Sequence, residues 1–157
     1  MHKGKYFLIV IIFFLAGLFL ISQSYKNLRP ENIKYIKIAG QNIKVDLALT
    51  PTEQAQGLSG KSGLRENEGM LFIFKYPGQY YFWMKDMNFP IDIIWFAQSE
   101  GRDTSKAKVI YIKKNALPDL YPETYGPEEN AKYVLEVVSG FSEKNNLKVG
   151  NEIEFTD

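Results

Sequence analysis

From Gly69 to Phe96 the chain reads G-M-L-F-I-F-K-Y-P-G-Q-Y-Y-F-W-M-K-D-M-N-F-P-I-D-I-I-W-F, and about half of these positions are aromatic or β-branched. Side chains of that kind fit a pleated, buried surface, so the stretch predicts the centre of a sheet. Strands are expected near Met70–Lys75, Tyr80–Met87 and Ile91–Ala97, with a turn at Pro77-Gly78 and a break at Asn88-Phe89-Pro90. Both faces of Tyr80–Met87 are apolar, which predicts a strand covered on two sides and a buried Trp83. Lys85, Asp86, Asn88 and Asp92 stand among these residues, and a polar group in such surroundings needs a partner or a purpose.

The flanking sequence carries the same β character. Ile43, Val45, Leu47 and Leu49 alternate with Asn42, Lys44, Asp46 and Ala48, the mark of a half-buried strand, and a turn at Gly40-Gln41 joins it to the preceding I-K-Y-I-K-I-A. Thr50-Pro51-Thr52-Glu53 is a helix start: Thr50 can cap, Pro51 suits the first helical position and Glu53 completes a capping box. Gly57 or Gly60 ends that helix. Further strands are expected over Lys108–Lys114 (with Ile110 and Ile112 inward), Tyr133–Val138 and Glu152–Phe155, and a second short helix over Ser139–Asn146. Ala116–Asn130, with three prolines and no periodicity, reads as a long loop. About seven strands, two short helices and no βαβ rhythm predict a mostly β domain, a compact β-sandwich or barrel-like fold over residues 32–157.

Ahead of this domain, Lys3 and Lys5 precede an uninterrupted apolar run from Tyr6 to Ile21. As a helix this run would be about 24 Å long, and Ser22 to Tyr25 can carry it into the membrane interface. Residues 1–24 therefore read as an N-terminal transmembrane helix of the signal-anchor kind, followed by a linker over 25–31. The alternative is a cleaved secretory signal, for which Ser22 and Ser24 offer a poor cut site. Either way the expected location of the domain is outside the cytoplasm, held at the cytoplasmic membrane or, after cleavage, secreted.

The chain has no cysteine, which removes lipoprotein anchoring, disulfides, thiol catalysis and thiolate metal sites. Its single histidine, His2, precedes the apolar run, so the domain has no imidazole for a catalytic triad or a histidine metal site. Beyond residue 24 there are 17 Lys and Arg against 18 Asp and Glu, and no basic footprint for nucleic acid or anionic lipid. Ser59-Gly60-Lys61-Ser62-Gly63 lacks the spacing of a phosphate loop, and Met70, Met84 and Met87 read as core filler. No cofactor or metal is expected, and the soluble part is expected to be a monomer.

Three groups of residues remain as binding candidates. Lys85 and Asp92, on strands expected to be adjacent, are predicted to meet as an ion pair, structural or facing a ligand beside Trp83. Glu136 reads as a solvent-facing strand residue, with the alternative that it joins Asp92 in a carboxylate pair of the glycosidase type. Tyr121 and Tyr125, beside Asp119, Glu123, Glu128 and Glu129, offer rings and carboxylates to a sugar or a basic partner, or oxygens to calcium, although EF-hand spacing is absent.

Met70-Leu71-Phe72, Phe82-Trp83-Met84-Lys85 and Pro90-Ile91-Asp92-Ile93-Ile94 resemble the signature of the DUF192 (COG1430) family. Thr50-Pro51-Thr52-Glu53 with Gly57-Leu58, Asn115-Ala116, Tyr133-Val134-Leu135-Glu136 with Gly140, and Leu147-Lys148-Val149-Gly150 are similar to its other blocks. Asp86 departs from the asparagine usual after the lysine. The resemblance implies a compact, mostly β domain, often behind a signal or anchor, and it carries no catalytic residues. The expected function is an envelope module that binds a ligand or protein partner. The alternatives are a carboxylate-based enzyme acting on envelope polysaccharide and a structural accessory of a membrane complex.

Overall fold

The computed structural model describes residues 28–99 and 103–157. Nine strands are present among them: β1 (Tyr35–Ile38), β2 (Gln41–Ala48), β3 (Glu68–Gly78), β4 (Phe82–Trp83), β5 (Ile91–Gln98), β6 (Lys106–Ala116), β7 (Thr124–Tyr125), β8 (Ala131–Val138) and β9 (Glu152–Thr156). Two short α-helices, α1 (Pro51–Gln56) and α2 (Phe141–Lys144), complete the regular structure with one-turn 3₁₀ segments at Pro30–Asn32 and Pro118–Leu120. No helix among the described residues is long and apolar enough to cross a membrane, and the expected anchor over residues 1–24 lies outside them.

Seven strands close into a barrel in the order β1-β2-β3-β8-β5-β6-β9, and β4 and β7 form a separate two-stranded sheet. β1 and β2 are joined through Ala39 and Gly40, both at positive φ, a conformation that matches the twist of a tight hairpin. β2 and β3 run parallel, so the chain between them must cross over, and that crossover carries α1. The other barrel pairs are antiparallel.

The strand alternation sorts apolar side chains into two cores. Ile36, Ile43, Val45, Leu71, Ile94, Phe96, Val109, Leu135, Val137, Ile153 and Phe155, drawn from all seven strands, fill the barrel. Met70, Phe72, Ile93, Trp95 and Val134 point the other way, from the outer wall of β3, β5 and β8, and are covered by Leu58, Met84 and Tyr125. Strands buried on both faces explain the near-continuous apolar runs in the sequence.

Several expectations change. Tyr80–Met87 is not a buried strand. Only Phe82–Trp83 pairs, with β7, and the segment lies across the outer wall as a cover with Tyr81 and Trp83 exposed. The loop Ala116–Asn130 holds a 3₁₀ turn and β7, because Tyr125 pairs with Phe82. In β2 the inward set ends at Leu47. Ala48 is buried against the outer core, and Leu49 has left the strand and is exposed. Ile112 packs on the barrel interior but Ile110 on the outer core, because an irregularity in the β5–β6 register reverses the phase of β6.

Candidate functional site

The capping box that opens α1 forms as the sequence implies. Thr50 Oγ1 accepts from Glu53 N at 3.3 Å, and Glu53 Oε2 accepts from Thr50 N at 2.8 Å and Leu49 N at 2.9 Å. These bonds hold the exposed Glu53 carboxyl below its usual range. Gln54 Nε2 donates to Ala48 O and Ile73 O, which ties the helix to β2 and β3. Gly57 then ends it at φ +52°, a backbone that side-chain-bearing residues rarely adopt. The turn drops Leu58 into the outer core, and its N–H donates to the Glu136 carboxyl.

Glu136 sits on β8 between Met70 of β3 and Ile93 of β5 and shares their outward face. It is only 4% exposed. Sequence reading placed this side chain in solvent, whereas α1 and the cover segment bury it. Burial pushes the carboxyl up to about 8, offset only in part by the Leu58 N–H. Oε2 has no hydrogen-bond partner. Such a group is mostly protonated at pH 7, so it can donate a hydrogen bond where a carboxylate could only accept. Gly69 lets β3 approach at this point, since a Cβ there would stand 2.8 Å from the Glu136 carbonyl oxygen.

Glu136 lines an open cleft of ≈ 250 Å³ between α1 and the cover segment. Phe72, Phe74, Tyr80, Tyr81, Phe82, Trp83 and Met87 form its apolar walls, and Gln54 to Ser59 form the opposite lip. The rings are interlocked. Phe74 stacks on Tyr80 with centroids 3.4 Å apart, and Phe82 meets Phe72 edge-on at 4.8 Å and Trp95 at 5.6 Å. Trp95 Nε1 donates to Tyr80 O at 2.8 Å, fixing the cover to the barrel. Ser59 Oγ donates to Lys85 O at 2.8 Å and Gly60 N to Asp86 O at 2.9 Å, so the two lips are bonded to each other. At the rim Trp83 is 50% exposed and Tyr81 57%.

Of the six candidate residues, Trp83 and Glu136 share this cleft and the other four lie outside it. The predicted Lys85–Asp92 pair does not form. Lys85 is exposed in the turn after β4, while Asp92 is buried on β5, whose neighbours are β6 and β8. Asp92 instead accepts from three backbone N–H groups: Asn115 at 2.9 Å, Gly140 at 3.2 Å and Ser142 at 2.8 Å. Its partner is thus the start of α2, which has no cap from its own sequence because Gly140 occupies that position. Nor do Asp92 and Glu136 form a glycosidase pair. Asp92 is opposite Val137 and Glu136 opposite Ile93, so successive alternation sends the two carboxyls to opposite sides of the barrel wall.

Tyr125 is buried on β7, with its hydroxyl 3.1 Å from Glu123 Oε2 and Lys113 Nζ 4.1 Å from its ring centre; Tyr121 is exposed in the preceding loop. No group of three or more acidic, histidine or cysteine side chains suited to a metal occurs among the described residues. Sequence reading missed Gln54, Gly57, Leu58 and the rings at 72, 74 and 80–82 as members of one site. A signal was present at Glu136, which is flanked by Val134, Leu135, Val137 and Val138, the pattern of a strand buried on both faces.

The fold and cleft define a closed small barrel with an aromatic outer layer. Over residues 34–155 the chain matches the family DUF192, described as Uncharacterized ACR, COG1430, and it belongs to that family. Among solved structures it is similar to a candidate transcription regulator from Sinorhizobium meliloti 1021, at 25% identity and TM-score 0.67, over 77% of this chain and 90% of that one. It is also similar to a protein of unknown function from Novosphingobium aromaticivorans DSM 12444, at 28% identity and TM-score 0.68, over 78% of this chain and 84% of that one. No curated protein matches it.

Proposed function

We propose that this protein is a binding module of the cell envelope, held at the membrane by residues 6–24, whose aromatic cleft takes a small ligand with a compact apolar or ring-shaped body. The observation that carries the reading is the unpartnered Oε2 of buried Glu136 at a cleft walled by aromatic rings. An apolar cleft with one convergent polar group is the usual form of a small-molecule site. At ~30 Å³ per water the space equals about eight water molecules, which suits one ring or headgroup rather than a chain of sugars. The bonded lips favour a preformed site, since little ordering is needed on binding. The location rests on the basic start and apolar run of the sequence.

The test uses the two indole N–H signals in a proton–nitrogen NMR spectrum of the full chain. Trp83 lies at the rim and Trp95 beneath the cover, so the first should respond directly. The titrants are cyclohexanol, cyclohexylamine, methyl β-glucoside and glucosamine. At least one should move the Trp83 signal saturably, and Tyr81→Ala should abolish that response without loss of the folded spectrum. No saturable shift with any of the four would refute the reading. A protease-protection assay on intact cells tests placement, and a domain shielded in the cytoplasm would overturn that part.

A further inference from the structure

We infer that the ligand of this cleft is an organic ammonium ion, held by the faces of its aromatic walls and by Glu136 as its counter-ion. The inference rests on the cleft being a binding site and concerns the class of ligand it selects. Glu136 is the one ionisable side chain besides the tyrosines Tyr80 and Tyr81 that lines the cleft; no Lys, Arg or His is among the lining residues. An anionic ligand would therefore meet a carboxyl and the negative faces of several rings with no cation to balance it.

A neutral polyol fares little better, because it needs several hydrogen bonds to replace those it makes with water. Gln54 Nε2 is engaged with Ala48 O and Ile73 O, and Ser59 Oγ with Lys85 O, while Gln56, Tyr81 and Trp83, further side-chain donors of the lining, are exposed residues. What the buried wall of the cleft offers is aromatic rings and one carboxyl oxygen without a partner, which is the complement of an alkylated or primary ammonium group.

Binding such an ion requires Glu136 to release its proton to solvent, so the empty acid becomes a carboxylate paired with the ligand's positive charge. The neighbouring elements contribute no competing charge. Met70 and Phe72 come from β3, Ile93 from β5, and Gly57 and Leu58 from the turn after α1; the other titratable residues that line the cleft are Tyr80, whose hydroxyl donates to Tyr76 O, and the exposed Tyr81. A quaternary ammonium has no proton of its own to lose near neutral pH, so the pH dependence of its binding reports the protein alone.

The experiment is titration calorimetry on the full chain, kept in a detergent that carries no amine, with choline, its uncharged isostere 3,3-dimethyl-1-butanol, and glucosamine. Choline should bind at least about tenfold more tightly than the isostere, a difference of about 1.4 kcal/mol. Its affinity should rise by on the order of 50-fold from pH 6 to pH 8, as the ionised fraction of a group near 8 climbs from about 1% to about half. In Glu136→Gln that rise should vanish and the preference for choline should fall toward one.

Glucosamine separates an amino-sugar source from a quaternary headgroup, since whichever binds more tightly identifies the form of ammonium preferred. If 3,3-dimethyl-1-butanol binds as well as choline, the cation inference is wrong while the binding reading stands. If neither choline nor glucosamine binds, the inference is likewise wrong, and the fate of the broader reading then rests on the NMR titration with cyclohexanol and methyl β-glucoside. Trp83→Ala, at a half-exposed position, should weaken choline more than the isostere; equal weakening would also count against the inference.

Discussion

The two buried carboxyls of this domain have opposite natures, and their surroundings decide which is which. Asp92 has three backbone N–H donors, whereas Glu136 has one and keeps Oε2 bare. Replacing Asp92 by Asn puts an NH₂ group among those donors and should destabilise the fold by about 3 kcal/mol, read from denaturant unfolding. Glu136 has the reverse effect. Its native value of about 8 lies above the ordinary 4.5, so between those pH values the folded state holds more protons than the unfolded one. Stability must then fall as pH rises through that window, by roughly 2–3 kcal/mol from pH 5 to pH 7 on account of this group. Glu136→Gln should remove that slope and leave the variant more stable than the parent at pH 7. A parent whose unfolding free energy does not decline relative to the variant over this range would show that Glu136 is solvated.

At the level of elements, the cover segment 79–90 is the part whose character differs most from its sequence. Trp83→Ala would cost about 3–5 kcal/mol for a buried tryptophan. With half its surface exposed the loss should stay below about 2 kcal/mol, and thermal unfolding of the variant measures it. The β elements themselves were legible, because period-two alternation in β2 and near-continuous apolar runs in β3, β5 and β8 follow from local sterics and burial. So was α1, whose start is written in Thr50, Pro51 and Glu53. The cover was not, since aromatic density encodes burial but not which layer does the burying, and Tyr80, Phe82 and Met84 look alike in a strand and in a lid. The cleft was half legible: Trp83 and Glu136 were singled out, but only the parallel crossover from β2 to β3 brings the turn after α1 over Glu136. The Lys85–Asp92 expectation failed for a related reason: β5 pairs with β8, some forty residues away in sequence, rather than with the preceding segment.

For the molecule as a whole, the barrel interior and the covered outer wall give two packed cores without disulfides, both within the described residues. Residues 28–157 should therefore fold as a soluble monomer when produced without the preceding segment. Cooperative unfolding and a monomeric sedimentation profile are the expected results, and recovery only of aggregates would contradict them. The ring closes where β1 meets β9, with Tyr35 beside Thr156. The strand that enters the domain and the strand that leaves it are thus hydrogen-bonded neighbours, so the two ends of the fold lie side by side. A tether pulling on the amino end loads this seam first, shearing β1 from β9 and β2 together. Joining the ends by a short linker and reopening the chain between β5 and β6, whose connection lies at the same end of the barrel because Leu28 N donates to Thr104 Oγ1 there, would give a circular permutant with every barrel pairing intact.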